Sequence, residues 1–296
     1  MKVVIFGGSG FIGSHLISYL TTEGHNVVLV SRSTRQMDNP LVHCVTWNEL
    51  NDGAEQLEKT VAFVNLAGET INQRWTAKAK QKILQSRLTT TVNVAEKVRT
   101  LKHKPAVVIN GSAVGIYGMS ETATFDETSS QRGDDFLARV VRKWEKAADE
   151  IASHTRLVKL RTGVVLGKKG GAFPLMALPY KLYVGGRVGS GKQWLSWIHM
   201  TDMVRLTVFC ILNKNMHGPI NATAPHPVTN DAFGRALARQ INRPHYFPVP
   251  AFAFKLLLGE MSQLLLCGQR VYPSIAQEHG FQFTYPTLDK AMADIV

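Results

Sequence analysis

A glycine-rich turn near the start of the chain constrains the fold more than any other feature. The apolar run Val3-Val4-Ile5-Phe6 leads into Gly7-Gly8-Ser9-Gly10-Phe11-Ile12-Gly13, whose outer and middle glycines have the spacing GxxGxxG. Apolar residues then recur at helical spacing up to Gly24, and a second apolar run covers 26–30. A strand, a glycine turn, a helix and a strand within about 30 residues form a βαβ unit, the building block of parallel sheets.

The same alternation of strands and helices continues to residue 166. We expect further strands at 42–47, 61–66, 106–110 and 157–166, and helices at 79–98 and 135–151. This order predicts an α/β fold with a doubly wound parallel sheet of the Rossmann type. We therefore predict a dinucleotide-binding Rossmann domain over residues 1–167.

The sequence changes character after Gly167. Glycine pairs mark turns, Thr229 is placed to cap a helix that runs to Gln240, and the apolar stretch 252–266 predicts a buried or groove-facing helix. We predict that residues 168–296 form a smaller mixed α/β substrate-side region, interleaved with the first domain.

The composition narrows the function classes. Its 34 Lys+Arg against 22 Asp+Glu give a net charge of +12, which favours anionic ligands. The basic residues are scattered rather than interleaved with aromatic residues, so we expect no nucleic acid partner. No apolar stretch reaches the roughly 20 residues of a membrane span, and the three cysteines form no CxxC pair. We expect a cytoplasmic protein without a membrane partner or a metal site. The sequence leaves open whether the chain forms a homodimer.

The glycine turn predicts a phosphate-binding site. Gly7 permits the tight turn, Gly10 lets the backbone approach a pyrophosphate, and Gly13 lets the helix pack closely on the strand. The backbone amides of Phe11 and Ile12 open the helix, where its dipole favours an anion. The context of strand, turn and helix makes this motif specific for a dinucleotide.

The end of the second strand indicates which dinucleotide is bound. An NAD site usually has an acidic residue there for the ribose hydroxyls. This chain has Ser31 and Arg32 instead. A hydroxyl and a guanidinium suit a 2′-phosphate, which a carboxylate would repel. We therefore predict NADP(H) as the cofactor.

Several further motifs carry a family resemblance over essentially the whole chain. Asn65-Leu66-Ala67-Gly68 and the run from Gly111 to Gly118 each follow a predicted strand, and Arg161 to Gly167 and Trp197-Ile198-His199 come later. Together with the glycine turn they resemble the extended short-chain dehydrogenase/reductase superfamily. More narrowly, the chain is similar to the atypical branch of NADP-binding epimerase-family proteins, often labelled sugar-nucleotide epimerases.

The resemblance implies a set of cofactor contacts beyond the glycine turn. Ser31 and Arg32 match the contacts to the adenosine phosphate, and the residues after the 61–66 strand match the wall beside the adenosine and ribose. Side chains on the following helix and one residue at the end of a later strand match further contacts. The implied residues are Leu66, Ala67, Gly68, Lys82, Arg87 and Val165.

The sequence departs from the superfamily at its catalytic residues. The resemblance implies a Ser that steadies the substrate oxygen, a Tyr that transfers the proton and a Lys four residues later. Leu137 and Val141 stand at the Tyr and Lys positions, and neither side chain can transfer a proton. We predict that Ser112 and Tyr117 are the catalytic residues, although counting back from Tyr117 would put Ala113 at the serine position.

Two functions remain in competition. The first is an NADP(H)-binding oxidoreductase or epimerase-like enzyme acting on a small-molecule substrate, a small carbonyl or sugar-like compound. The second is a non-catalytic NADPH-binding sensor or regulatory protein, which the loss of the usual Tyr and Lys favours. Weaker candidates for contact with the cofactor or substrate are Glu69, Arg74 and Trp75, which follow a strand end. For His199 and Asp202 we expect structural hydrogen bonds.

Overall fold

The computed structural model describes residues 1–131 and 133–296. The strands are β1 (Lys2–Phe6), β2 (Asn26–Ser31), β3 (Val42–Thr46), β4 (Ala62–Asn65), β5 (Val107–Ala113), β6 (Thr124–Phe125), β7 (Arg156–Thr162), β8 (Val164–Leu166), β9 (Trp194–Leu195), β10 (Trp197–His199), β11 (Gly218–Ala222), β12 (Val228–Thr229) and β13 (Arg270–Val271). The helices are α1 (Phe11–Thr22), α2 (Trp47–Asp52), α3 (Ala77–Thr100), α4 (Phe136–Ala148), α5 (Phe173–Lys181), α6 (Met200–Leu212), α7 (Asn230–Gln240), α8 (Ala251–Leu258), α9 (Gln263–Leu266), α10 (Ser274–Glu278) and α11 (Leu288–Ile295).

A seven-stranded sheet in the order β11-β7-β5-β4-β1-β2-β3 forms the centre of the molecule. All of its strand pairs are parallel. β1 lies between β2 and β4, so the chain changes direction across the sheet at this strand. The crevice at the carboxyl ends of β1 and β4 is where a doubly wound sheet binds its ligand. The predicted Rossmann-type α/β fold is confirmed.

Both faces of the sheet are covered, which explains the unbroken apolar strands of the sequence. Val3 and Ile5 pack into one core with residues of α1 and α6, whereas Val4 and Phe6 pack into a second core with residues of α3. All four side chains are fully buried. Because successive side chains of a strand point to opposite faces, a strand buried on both sides needs apolar residues at every position.

The expected single strand over 157–166 is wrong, because Gly163 divides it. β7 ends at Thr162 in the main sheet, while β8 leaves the sheet and pairs with β10. A methyl group at Gly163 would lie 2.6 Å from the carbonyl oxygen of Ser196. The chain crosses another backbone closely at this point, and only glycine leaves the room for it.

Part of the chain beyond residue 167 belongs to the main sheet. β11 pairs with β7 at the sheet edge, and α6 packs against α1. The division at residue 167 stays a prediction.

The apolar stretch 252–266 is divided into α8, a single 3₁₀ turn over Gly259–Ser262, and α9. α8 contains no buried residue, and its Leu256 is 81% exposed. Of the two alternatives expected for this stretch, the buried helix is wrong and the groove-facing helix stays a prediction. Among the described residues, no helix is long and apolar enough to cross a membrane.

Candidate functional site

The glycine turn after β1 has the shape that a diphosphate needs. Gly7 has a φ of +80°, and a methyl group on it would lie 2.7 Å from Cα of Ala67. A methyl group on Gly13 would lie 2.6 Å from Cα of Gly8, which shows how closely α1 approaches the turn. On Gly10 it would meet only the carbonyl oxygen of Gly7, at 3.3 Å. The outer glycines are therefore required by the fold, and the middle one leaves open space beside the turn.

α1 begins directly after this turn and presents its amino end to the open space. Gly10 is the N-cap, and no side chain among the described residues caps the helix. The first-turn amides of Phe11 and Ile12 are therefore available to an anion, and the helix dipole adds to the attraction. The geometry fits the diphosphate of a dinucleotide.

The end of β2 places Arg32 differently from Ser31. The Ser31 side chain is buried, and its hydroxyl donates a hydrogen bond to the carbonyl of Ser33 and lies 3.6 Å from Sγ of Cys44. The Arg32 side chain is exposed and forms no hydrogen bond or ion pair within 1–131 and 133–296. Arg32 is thus a cation that no described residue pairs with, and Ser31 would have to release a backbone contact to bind a phosphate.

The segment after β4 packs directly on Arg87. A methyl group on Gly68 would lie 3.1 Å from Cζ of Arg87, so a larger side chain would displace the guanidinium. Nη1 of Arg87 donates hydrogen bonds to the carbonyls of Glu69 and Ile83, each at 3.0 Å. Burial lowers the pKa of Arg87 to about 10, so the side chain stays charged at neutral pH. Arg87 supports the wall formed by Leu66, Ala67 and Gly68.

The remaining two predicted cofactor contacts have different surroundings. Lys82 on α3 is exposed and has no partner among the described residues. Val165 lies in β8, is 8% exposed and pairs with Ile198 of β10. Val165 is therefore packed into the core near the carboxyl edge of the sheet, whereas the Lys82 side chain is exposed to solvent.

A short loop after β8 surrounds the side chain of Phe11. Methyl groups on Gly167, Gly170 and Gly171 would lie 3.0, 2.8 and 2.5 Å from atoms of the Phe11 ring. We name residues 167–171 the glycine strap. It brings the exposed Lys168 and Lys169 to the side of the phosphate-binding turn. The glycines of this segment predict a turn, and their number was also a signal of close packing.

The two predicted catalytic hydroxyls both belong to a buried polar network. Ser112 at the end of β5 donates to Oε1 of Glu145 at 2.6 Å. Glu145 accepts two further hydrogen bonds from Arg161, at 2.8 and 2.9 Å. Arg161 also donates to the hydroxyl of Tyr117 at 2.9 Å, and that hydroxyl donates to Oδ1 of Asn221 at 2.9 Å. The network joins β5, α4, β7 and β11.

This arrangement disfavours catalysis by Ser112 and Tyr117. Tyr117 is fully buried, Ser112 is 4% exposed, and both hydroxyls are engaged. Burial raises the pKa of Tyr117, which Arg161 only partly offsets, and a proton-transferring tyrosine needs the opposite shift. The catalytic assignment of both residues stays a prediction that the geometry opposes.

The two charged residues of this network, Glu145 and Arg161, are not among the functional residues predicted from the sequence. Arg161 interrupts an apolar strand and Glu145 follows a tryptophan in a helix. A charge in a buried strand requires a partner, so Arg161 was a signal for a buried ion pair. The partner of Arg161 was not evident from the sequence. Glu145 lies on a separate element, and spacing along a helix predicts pairs only within that helix.

Hydrocarbon side chains occupy the positions of the superfamily tyrosine and lysine. Val141 is buried with Tyr117 and Phe125. Leu137 is half-buried and belongs to a separate apolar group from three parts of the chain, which we name the apolar wall. Its buried members are Trp75, Ile83 and Val140, and its half-buried members are Ile71, Leu84, Phe136, Leu137, Met261 and Leu264.

His199 and Asp202 have structural contacts, as expected. Asp202 is fully buried and accepts hydrogen bonds from the amides of Thr284 and Tyr285, both at 2.8 Å. His199 accepts from the amide of Thr201 and so caps α6, while its Nε2 lies 3.2 Å from Asp294. No group of three metal-ligating side chains occurs in the part of the chain that the structure describes.

A match to a known family agrees with the parallel sheet and the glycine turn described above. A model of the NAD dependent epimerase/dehydratase family matches residues 3–222. The chain belongs to this family. A second model, a domain of unknown function, matches residues 249–295. The expected resemblance to the epimerase-family branch is confirmed.

Relatives match over the whole chain. The epimerase family protein YfhF of Bacillus subtilis is 43% identical, covering 100% of this chain and 98% of its own length. A Staphylococcus haemolyticus relative of the same description is 41% identical over 100% of this chain and 99% of its own. The human epimerase family protein SDR39U1, solved with NADPH, is 37% identical with a TM-score of 0.91, covering 100% of this chain and 99% of that one.

Solved structures with less similar sequences share the fold alone. UDP-glucose 4-epimerase of Thermus thermophilus, solved with NAD, has a TM-score of 0.78 at 17% identity, over 100% of this chain and 97% of that one. The neighbours thus include an NADPH complex and an NAD complex. Because these neighbours differ in the nucleotide with which they were solved, they do not decide between NADPH and NAD.

Proposed function

We propose that this protein is a cytoplasmic NADP(H)-binding oxidoreductase that acts on a small carbonyl or sugar-like compound. The observation that carries the proposal is the free guanidinium of Arg32 beside an uncapped helix and an open glycine turn. When bound, NADP(H) supplies hydride chemistry. The chain's own contribution is to bind and orient the cofactor and to form the substrate surface.

The preference for NADP(H) rests on charge at the end of β2. A 2′-phosphate is a dianion, and Arg32 offers it a planar fork of donors without first breaking an ion pair. The NADPH complex of the 37% identical human relative supports this choice. The absence of a carboxylate at positions 31 and 32 removes the group that would favour NAD.

Calorimetric titration of the purified protein with NADPH and NADH tests the cofactor preference. We expect Arg32→Ala to weaken NADPH binding by about 1.5–3 kcal/mol, roughly 10- to 150-fold, and to leave NADH binding unchanged. Lys214→Ala is the matched control, because Lys214 is exposed before β11, at the opposite edge of the sheet. The NADP(H) assignment would be overturned by a wild-type protein that binds NADPH and NADH equally well, or by an Arg32→Ala protein that still prefers NADPH.

A second candidate is a non-catalytic NADPH-binding sensor. Leu137 and Val141 at the catalytic positions, and the buried hydroxyl of Tyr117, favour it. NADPH oxidation measured with a panel of carbonyl compounds separates the two functions. Turnover supports the oxidoreductase. Absence of turnover together with a ligand-dependent change in hydrogen exchange of the glycine strap would support the sensor.

A further inference from the structure

The surface around Leu137 is apolar although it stands where the superfamily places its proton donor. Leu137 is half-buried in the apolar wall beside Phe136, Met261 and Leu264, which are also half-buried. Trp75 and Ile83 form the buried base behind them. The partly exposed side chains beside Leu137 in this wall are therefore hydrocarbon or thioether, with no hydroxyl or carboxylate among them.

The apolar wall is held together as a unit. Lys80 on α3 forms an ion pair with Glu260 in the turn between α8 and α9. Its ammonium also lies 5.2 Å from the ring centroid of Phe136 on α4. The C-terminal segment is thereby held against α3 and α4. The charges of Lys80 and Glu260 neutralise each other, so this pair adds little net charge to the surface.

We propose that this surface binds an uncharged apolar ring with conjugated carbonyl groups, a quinone-like compound, rather than a sugar. The proposal rests on the proposed function and names its substrate class. A sugar hydroxyl placed against the wall would lose hydrogen bonds to water without replacement. The nearby hydroxyls of Ser112 and Tyr117 already donate to Glu145 and Asn221.

The missing proton donor agrees with the same substrate class. A reduced aliphatic ketone is a strongly basic alkoxide, so its formation depends on an acid in the site. A quinone that gains a hydride, two electrons and one proton, from the dihydronicotinamide becomes a hydroquinone anion, which takes its second proton from water. The conjugate acid of this anion resembles a phenol, with a pKa of about 10, so no acid from Leu137 is needed.

Binding of duroquinone tests the substrate class independently of turnover. Duroquinone is an apolar ring that is fully substituted and therefore does not add to the free cysteines. Titration with duroquinone and with UDP-glucose, each with and without saturating NADP⁺, measures the two affinities. We expect duroquinone to bind more tightly than UDP-glucose. Tighter binding of UDP-glucose would overturn the proposal.

Variants of the wall locate the binding. We expect Leu137→Asn on α4 and Leu264→Asn on α9 each to weaken duroquinone binding about tenfold, because an unpartnered amide replaces an apolar contact. Leu137→Met should change it by no more than about twofold. Leu182→Asn is the control, since Leu182 is 62% exposed after α5 and outside the wall. Two variants keep the test decisive if one fails to fold.

The outcomes for the two proposals are distinct. Duroquinone affinity that is unchanged in both folded asparagine variants would overturn the substrate class, even where NADP⁺ binds normally. Duroquinone binding that depends on Leu137 and Leu264, in a protein that gives no heat with NADP⁺, would support the apolar site and overturn the proposed cofactor function alone.

Discussion

The phosphate-binding turn and the Ser112–Tyr117 network lie at the same edge of one sheet but are built from different groups. The turn follows β1, and the network follows β5, two strands away. The first is formed by backbone amides, glycines and Arg32, a side chain without a partner among the described residues. The second consists of side chains whose polar atoms bind each other. A site built from backbone groups depends on the fold itself. A site built from side chains can change its chemistry while the fold stays the same.

The largest expected effect comes from breaking the buried network. Arg161→Met leaves the Glu145 carboxylate, which has 9% side-chain exposure, without its bidentate partner. We expect a loss of about 3–5 kcal/mol in the free energy of unfolding, measured by urea denaturation. The double variant Arg161→Met/Glu145→Met should recover much of this loss. A single variant as stable as the wild type would refute the structural importance of the pair.

The next effect concerns the glycine turn. Gly13→Val places a side chain 2.6 Å from Cα of Gly8, so α1 has to move away from the turn. We expect at least about a 100-fold loss of NADPH affinity, equivalent to roughly 2.7 kcal/mol. Gly24→Ala is the control, because Gly24 lies just beyond the far end of α1 with a φ of +73°, so the substitution strains the backbone without a clash at the turn. Normal NADPH binding by a folded Gly13→Val protein would show that the turn is not the diphosphate site.

A smaller effect is expected from Tyr117→Phe, which sharpens the contrast between structure and catalysis. The hydroxyl connects Arg161 and Asn221, so its removal leaves a buried donor and acceptor without this partner. We expect a loss of about 1–3 kcal/mol in unfolding free energy with unchanged NADPH affinity. A variant that keeps its stability but loses NADPH turnover would instead restore Tyr117 as a catalytic residue.

The smallest effect is a pH dependence at His199. Burial lowers the pKa of this imidazole, with partial opposition from Asp294 and Asp202, so the folded state favours the neutral ring. The unfolded chain takes up the proton below its ordinary pKa of about 6.5. Stability should therefore be fully present above that pH and fall below it. His199→Asn keeps a helix cap and should flatten the fall. Equal slopes in thermal unfolding at several pH values would contradict this.

The sequence was most informative where structure depends on local pattern. β1, the glycine turn, α1 and β2 are continuous in sequence, and their apolar residues and glycines directly reflect burial and turn geometry. The break at Gly163 was not evident, because it is imposed by the distant carbonyl of Ser196. Helix α8 was interpreted from its apolar composition, which indicates a helix but does not say what covers it.

The candidate site divides in the same way. Arg32 was chosen from its position directly after the second strand, and its role toward the cofactor stays a prediction. Ser112 and Tyr117 were identified by position too, but their engagement depends on Glu145, Arg161 and Asn221, which the fold brings together from separate elements. A residue at a familiar position keeps its chemistry only if its neighbours leave it free.

The close fit of the glycine strap around Phe11 has a consequence for cofactor exchange. Three glycines of the strap lie so near the Phe11 ring that a methyl group added to any of them would come within 3.0 Å of it, so the strap restricts the turning of that ring. Phe11 also contributes the first backbone amide of the helix that faces the diphosphate. The residence time of the nucleotide should therefore depend on how often a few residues after β8 lift from the surface, and ring-flip rates of Phe11 would report that frequency directly.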